Sequence, residues 1–198
     1  MTRSEATADD AYFPEGPPGS PAKPLAAFVF DDSEEANRIV ADFAAELARE
    51  GRRVAGVIQR AEATEFCRCR EAELLNVETG ESFTILQDLG RGSDACRIDP
   101  GAIARAGVEI ARALEGAPEL LFVNRFGKLE MEGEGLTAEI GAAVLSGAPT
   151  LVCVARRFLP PWREFAGGLA DEIPCCGVSL RRWWRTVEAG AAAANDAA

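Results

Sequence analysis

An apolar run at residues 120–123 breaks off at Asn124 and gives way to Arg125, Gly127, Lys128, Glu130, Glu132, Gly133 and Gly135. Consecutive large apolar residues without alternation are buried on both faces, as in the interior of a parallel sheet. The sudden change to polar residues and glycines marks where such a strand leaves the sheet. In open α/β sheets, ligands bind in the crevice beyond the carboxyl ends of the strands. This one segment, ELLFVNRFGKLEMEGEGL (residues 119–136), therefore calls for a layered α/β fold and nominates its own polar residues as the ones delivered to a crevice.

The rest of the chain fits that frame. Residues 25–30 form a short apolar strand, followed by Asp31, Asp32 and Ser33. Ser33 is the expected N-cap of a helix, with Glu34 and Glu35 offsetting the macrodipole in its first turn. Ile39, Val40, Phe43 and Leu47 share one face of that helix, Gly51 stops it, and residues 54–58 make the next strand. The chain thus opens βαβ. Residues 74–77 and 82–86 flank Glu78-Thr79-Gly80-Glu81, which predicts a β-hairpin inserted between parallel strands.

Asp99 and Pro100 start a helix with Ile103, Ile110 and Leu114 on its apolar face. Beyond the organising strand, a helix over 136–146 ends at Gly147 and Pro149, and 150–154 is a further buried strand. Pro160-Pro161 open a short helix, and a last helix over 178–188 carries Trp183 and Trp184. Strands alternating with helices make an α/β domain with a mostly parallel sheet. The expected organisation is a proline- and glycine-rich disordered leader over 1–23, one domain over 24–188 and a frayed, alanine-rich tail over 189–198.

Composition excludes several function classes. The 198 residues are 47% hydrophobic, enough for one sizeable core. The net charge of −11 argues against nucleic-acid binding, which needs a basic surface. No apolar run approaches the ~20 residues of a membrane span, and the N-terminus lacks a signal-peptide pattern. A cytoplasmic location with reduced cysteines is expected. Histidine is absent, which removes the usual general base and the commonest zinc ligand. Of the two lysines, Lys23 and Lys128, only Lys128 falls well inside the expected domain.

The charge pattern at the strand ends carries the functional signal. A phosphate-cradling loop needs glycines and then Gly-Lys-Ser/Thr at a helix N-terminus. The first βα turn instead reads Phe30-Asp31-Asp32-Ser33-Glu34-Glu35, which repels a triphosphate. Two readings of Asp31 and Asp32 stand: capping and solvation, or ligation of a divalent cation, with Glu130 as a further carboxylate. The later strand ends are basic: Arg125 and Lys128 after one, Arg156 and Arg157 after the next, with Arg91 and Arg97 in the loop before the Asp99 helix. With Asn124, the residues Arg91, Arg97, Arg125, Lys128 and Arg156 form a candidate anion-binding set. The competing reading pairs these cations with the surplus acids, 32 against 21 bases. Cys96 adjoins Arg97 ahead of a helix N-terminus, so it is a candidate reactive thiol as well as an ordinary loop residue. Cys153 lies in a buried strand and reads as packing. Cys67-Arg68-Cys69 and Cys175-Cys176 lack the spacing of a zinc ribbon.

FVNRFGKLEMEGEGL, preceded by QDLG and CRIDP and followed by WREFAGGLADEIP, resembles a bacterial family of uncharacterised domains. Its members are often encoded beside molybdenum-transport genes and are sometimes misnamed as molybdate-transporter ATPases. The resemblance covers about residues 24–184 and implies a molybdenum-related context. More distantly, Asn124-Arg125-Phe126-Gly127-Lys128-Leu129-Glu130 is similar to the strand end Asp-Glu-Ile-Gly-Lys-Met-Glu of small P-loop nucleoside-triphosphatases. Gly127, Lys128 and Glu130 match. The two acids, which in those enzymes hold magnesium and orient water, are replaced by Asn124 and Arg125.

The resemblance implies a three-layer, P-loop-NTPase-like sheet with an inserted hairpin. Three functional readings follow. One is a catalytically degenerate domain that binds a small oxyanion, molybdate first, or a nucleotide. Another is an active nucleoside-triphosphatase that uses Asp31, Asp32 or Glu130 for magnesium and Lys128 for phosphate. The last is an interaction module that regulates molybdenum transport or cofactor assembly.

Overall fold

The computed structural model describes residues 22–62, 71–87 and 97–196. In chain order the elements are β1 (Leu25–Phe30), α1 (Ser33–Arg49), β2 (Val54–Glu62), β3 (Glu71–Asn76), β4 (Ser82–Thr84), β5 (Leu86–Gln87), β6 (Arg97–Ile98), α2 (Pro100–Glu115) and β7 (Leu120–Phe126). These are followed by α3 (Lys128–Met131), α4 (Thr137–Ser146), β8 (Thr150–Ala155), a single 3-10 turn (Arg156–Phe158), α5 (Leu159–Ala166), β9 (Ala170–Pro174) and α6 (Gly177–Asp196).

Seven strands form one sheet in the order β4-β3-β2-β7-β8-β1-β9. The five strands from β2 to β9 are parallel, and β3 and β4 run antiparallel at the edge. β5 and β6 pair separately. The hairpin is therefore inserted in the chain, but it extends the sheet edge beyond β2 and does not separate parallel neighbours.

The central strands are apolar on both faces because helices cover both. Leu25, Val29, Val123 and Val154 pack with Ala106, Ile110, Ile140 and Trp162 of α2, α4 and α5. Phe28, Phe30, Phe122 and Cys153 pack on the other side with Val40, Phe43, Leu180 and Trp184 of α1 and α6. Each fully buried large side chain contributes about 1.5–3 kcal/mol, and every residue of β1 and all but Ala155 of β8 are buried.

Four local readings are corrected by the structure. Asp32, not Ser33, caps α1: its Oδ1 accepts the backbone N–H of Glu34 at 2.8 Å and of Glu35 at 3.2 Å. β7 does not end at Asn124 but runs through Arg125 to Phe126, with a register shift against β8 and a cis peptide between Asn124 and Arg125. β9, whose sequence ADEIP is mostly polar and ends in proline, adds an edge strand beside β1 that periodicity does not suggest. α6 runs on to Asp196 through the alanine-rich stretch for which fraying is expected.

Candidate functional site

The carboxyl ends of β1, β7 and β8 lie side by side, so the residues that leave them share one edge of the sheet. β1 delivers Asp31 and Asp32, β7 delivers Asn124 and Arg125, and β8 delivers Arg156. Asn124 follows Phe122 on the side of β7 that faces α1, where its Nδ2 donates to Oδ1 of Asn37 at 3.1 Å. Both asparagines are buried. Each side chain still has an orphan: Asn124 Oδ1 and Asn37 Nδ2 have no partner among the described residues.

Arg125 is half-buried, and its guanidinium lies over the Phe30 ring, 5.1 Å from the centroid. Its Nε is buried and, among the described residues, has no hydrogen-bond partner; no carboxylate among them forms an ion pair with Arg125. Burial pushes its pKa down, nearby Arg157 adds to this, and Cys153 opposes it. Arginine stays protonated through such shifts. Cys153 cannot act as the counter-anion, because burial pushes its thiol up to about 12 despite Arg125 nearby. The edge of the sheet thus holds a half-buried cation without a partner charge among the described residues. That is an arrangement a bound anion stabilises.

The other nominated cations are placed differently. Arg156 Nε donates to both oxygens of Asp31, at 3.0 and 2.8 Å. Lys128 has a side chain 74% exposed and pairs with Glu132 at 3.9 Å. It does not join Arg125 in a buried cluster. Arg97 lies in β6, with its side chain outside the described set, and Arg91 and Cys96 lie outside the described residues altogether.

The carboxylates proposed for a metal are also occupied. Asp31 is held by Arg156, and Asp32 caps α1. Glu130 is buried and accepts from Gly127 N–H at 2.8 Å through Oε2 and from Leu136 N–H at 3.0 Å through Oε1. Among the described residues, no group of three or more Cys, Asp or Glu gathers to hold a metal ion. The sequence motif is satisfied by Glu130 as a clamp on the 127–136 loop, a role that spacing alone does not distinguish from ligation.

Asn37 and Phe30 are the site residues that sequence reading does not nominate. The signal for Asn37 is present: it lies on the same face of α1 as Val40 and Ala44, where an apolar residue is otherwise expected. An apolar hollow of about 320 Å³ opens at the opposite, amino-terminal edge, beside Leu25, Val144, Thr150 and Leu169. Its polar groups are already engaged, Thr150 Oγ1 with the Ala148 carbonyl and Lys23 Nζ with the Ala170 carbonyl. It offers no convergent polar chemistry of the kind a ligand site uses.

A family model described as Protein of unknown function (DUF2478) matches residues 25–183. Part of a Bradyrhizobium diazoefficiens protein named Molybdenum import ATP-binding protein ModC 2 is 32% identical over 162 residues, covering 81% of this chain and 18% of that protein. The chain thus spans less than a fifth of that relative's length. The crystal structure of THEP1 from the hyperthermophile Aquifex aeolicus matches with a TM-score of 0.57 at 13% identity, covering 76% of this chain and 89% of that one. The solution structure of a human cancer-related nucleoside triphosphatase matches with a TM-score of 0.56 at 11% identity, covering 75% of this chain and 86% of that one. The fold class is accordingly the three-layer, P-loop-NTPase-like α/β fold, and no helix among the described residues is long and apolar enough to cross a membrane.

Proposed function

Because the chain belongs to the family described as Protein of unknown function (DUF2478), we propose a function from the site itself: a catalytically degenerate P-loop-like domain that binds a small oxyanion or a nucleotide phosphate. The observation that carries this reading is Arg125, half-buried, stacked on Phe30 and without a counter-carboxylate among the described residues. An anion on that guanidinium recovers the cost of withdrawing it from water through charge-assisted hydrogen bonds. The setting is cytoplasmic molybdenum-related metabolism. Similarity to part of a molybdenum import ATP-binding protein makes molybdate the first ligand to test.

Degeneracy is supported by what occupies the hydrolytic positions. At the N-terminus of α1, two N–H groups of the kind a phosphate-cradling turn presents already bond to Asp32. Asn124 and Arg125 stand where the related strand end carries acids. Glu130 has both oxygens on backbone donors. A nucleoside-triphosphatase working through Lys128 would need that lysine to leave Glu132 and enter a site it does not line.

Calorimetry at low salt with molybdate, tungstate, sulfate, phosphate and nucleotides tests the reading. Saturable binding of at least one anion is expected, weakened roughly tenfold or more in Arg125→Gln. Failure of every anion to bind at millimolar concentration overturns it. Attention would then pass to an interaction role in molybdenum transport or cofactor assembly. Phosphate release from a nucleotide, abolished by Lys128→Ala, would favour the hydrolase instead.

A further inference from the structure

Asn37 and Asn124 retain only 6% and 3% of their exposure, yet their single mutual hydrogen bond leaves half of each amide unused. One carbonyl oxygen and one amino group are left over. Turning both amides together exchanges which residue supplies which group but leaves the same sum. The next residue along β7, Arg125, adds an Nε–H without a partner among the described residues. Phe30 and Cys153, the neighbours of this guanidinium, belong to the layer between the sheet and α1, the helix that carries Asn37. The unused inventory at this edge is therefore two donors, one of them charged, and one acceptor.

We infer that the Asn37–Asn124 pair is a ligand-recognition element that selects tetrahedral anions retaining a hydroxyl at neutral pH, such as hydrogen phosphate or hydrogen arsenate. Such an anion offers oxygens to Arg125 and the free amino group while its own O–H donates to the free carbonyl. Molybdate, tungstate and sulfate carry no proton at neutral pH. They set an anionic oxygen against the buried carbonyl, or leave that carbonyl unsatisfied. Mismatches of this kind reduce affinity roughly ten- to a hundredfold. The inference rests on the oxyanion reading above and ranks the anions within it. A buried water would also satisfy a donor and an acceptor, but it would confer no preference between phosphate and sulfate.

The deciding experiment is parallel calorimetric titration of the full chain with phosphate, arsenate, sulfate and molybdate at neutral pH and equal ionic strength. Phosphate and arsenate are expected to bind at least roughly tenfold more tightly than sulfate and molybdate. The double variant Asn37→Leu with Asn124→Leu replaces both partners by apolar groups of similar size, the change that best preserves a buried site. It should bind all four anions weakly and without preference. If no anion binds the wild type, the oxyanion reading falls and this inference falls with it. If sulfate or molybdate binds as tightly as phosphate, the inference alone is overturned. A preference that survives in the folded double variant also overturns it, by placing the selectivity elsewhere. Should the variant fail to fold, the wild-type comparison still decides.

Discussion

At the scale of single residues, the chemistry turns on which charges are left uncompensated. Arg156 and Lys128 both have carboxylate partners, Asp31 and Glu132, whereas Arg125 rests on an aromatic face. A cation held over a ring gains about 0.5–2 kcal/mol, which does not replace an ion pair. Lys128→Ala should therefore change anion affinity by no more than about twofold, because an exposed i,i+4 pair contributes little. Arg125→Gln should cost roughly tenfold or more in the same titration.

The thiols give an independent check on the electrostatics. Cys153 is buried, with its pKa pushed to about 12 chiefly by burial, so almost none of it is thiolate near neutral pH. Mass spectrometry after brief alkylation of the folded protein should find Cys153 unmodified. Full modification should appear only in denaturant. Labelling of Cys153 in the native state would mean that the layer around Arg125 is open to solvent.

At the scale of elements, β2 and β7 approach so closely that Gly56 has no substitute. Its φ is +102°, and a Cβ there would collide with the Phe122 carbonyl. Left-handed strain and overpacking act together, so Gly56→Ala should destabilise the fold by about 2–5 kcal/mol, read as a drop in denaturation midpoint at constant slope. The loop after β7 depends on Glu130 in a comparable way. Its two backbone hydrogen bonds hold Gly127 and Leu136, the residues just before α3 and α4. Glu130→Leu leaves both N–H groups without their acceptor and should cost about 2–4 kcal/mol. Anion affinity of the folded fraction should be retained. A selective loss of binding with stability intact would instead put Glu130 in the ligand site.

At the scale of the whole molecule, a charged network ties together segments far apart in the chain. Glu119, just ahead of β7, accepts from Arg53 N–H at 2.8 Å and from the Arg52 guanidinium at 3.1 Å, while Arg52 also reaches Glu188 of α6. The backbone donor of Arg53 is the main reason the Glu119 carboxyl titrates below its ordinary range, with Arg52 assisting. A carboxyl with a depressed folded pKa stabilises at pH values above its unfolded pKa, and that contribution is lost as pH falls through the folded value. Thermal melts should show Glu119→Gln less stable than wild type by about 1 kcal/mol at neutral pH, with the gap closing in acid. A gap that persists or widens below the carboxylate range would contradict the assignment.

Much of this architecture is legible in the sequence, because local physics dictates it. Uninterrupted short apolar runs, at 25–30 and 150–154, read as buried strands by their length and the turn residues that flank them, and capping residues and glycines bound the helices between them. The net charge and the missing histidine narrow the chemistry before any coordinate is consulted. Three things depend on contacts between distant segments and so belong to the tertiary structure alone. One is the place of β9 beside β1, which supplies a partner for a strand too polar to declare itself. Another is the sorting of the cations, since whether Arg156 meets Asp31, 125 residues away in sequence, is decided by which strand ends are neighbours. The last is the Asn37–Asn124 pair, two ordinary polar residues until folding buries them against each other, next along β7 to Arg125, which has no matching charge among the described residues.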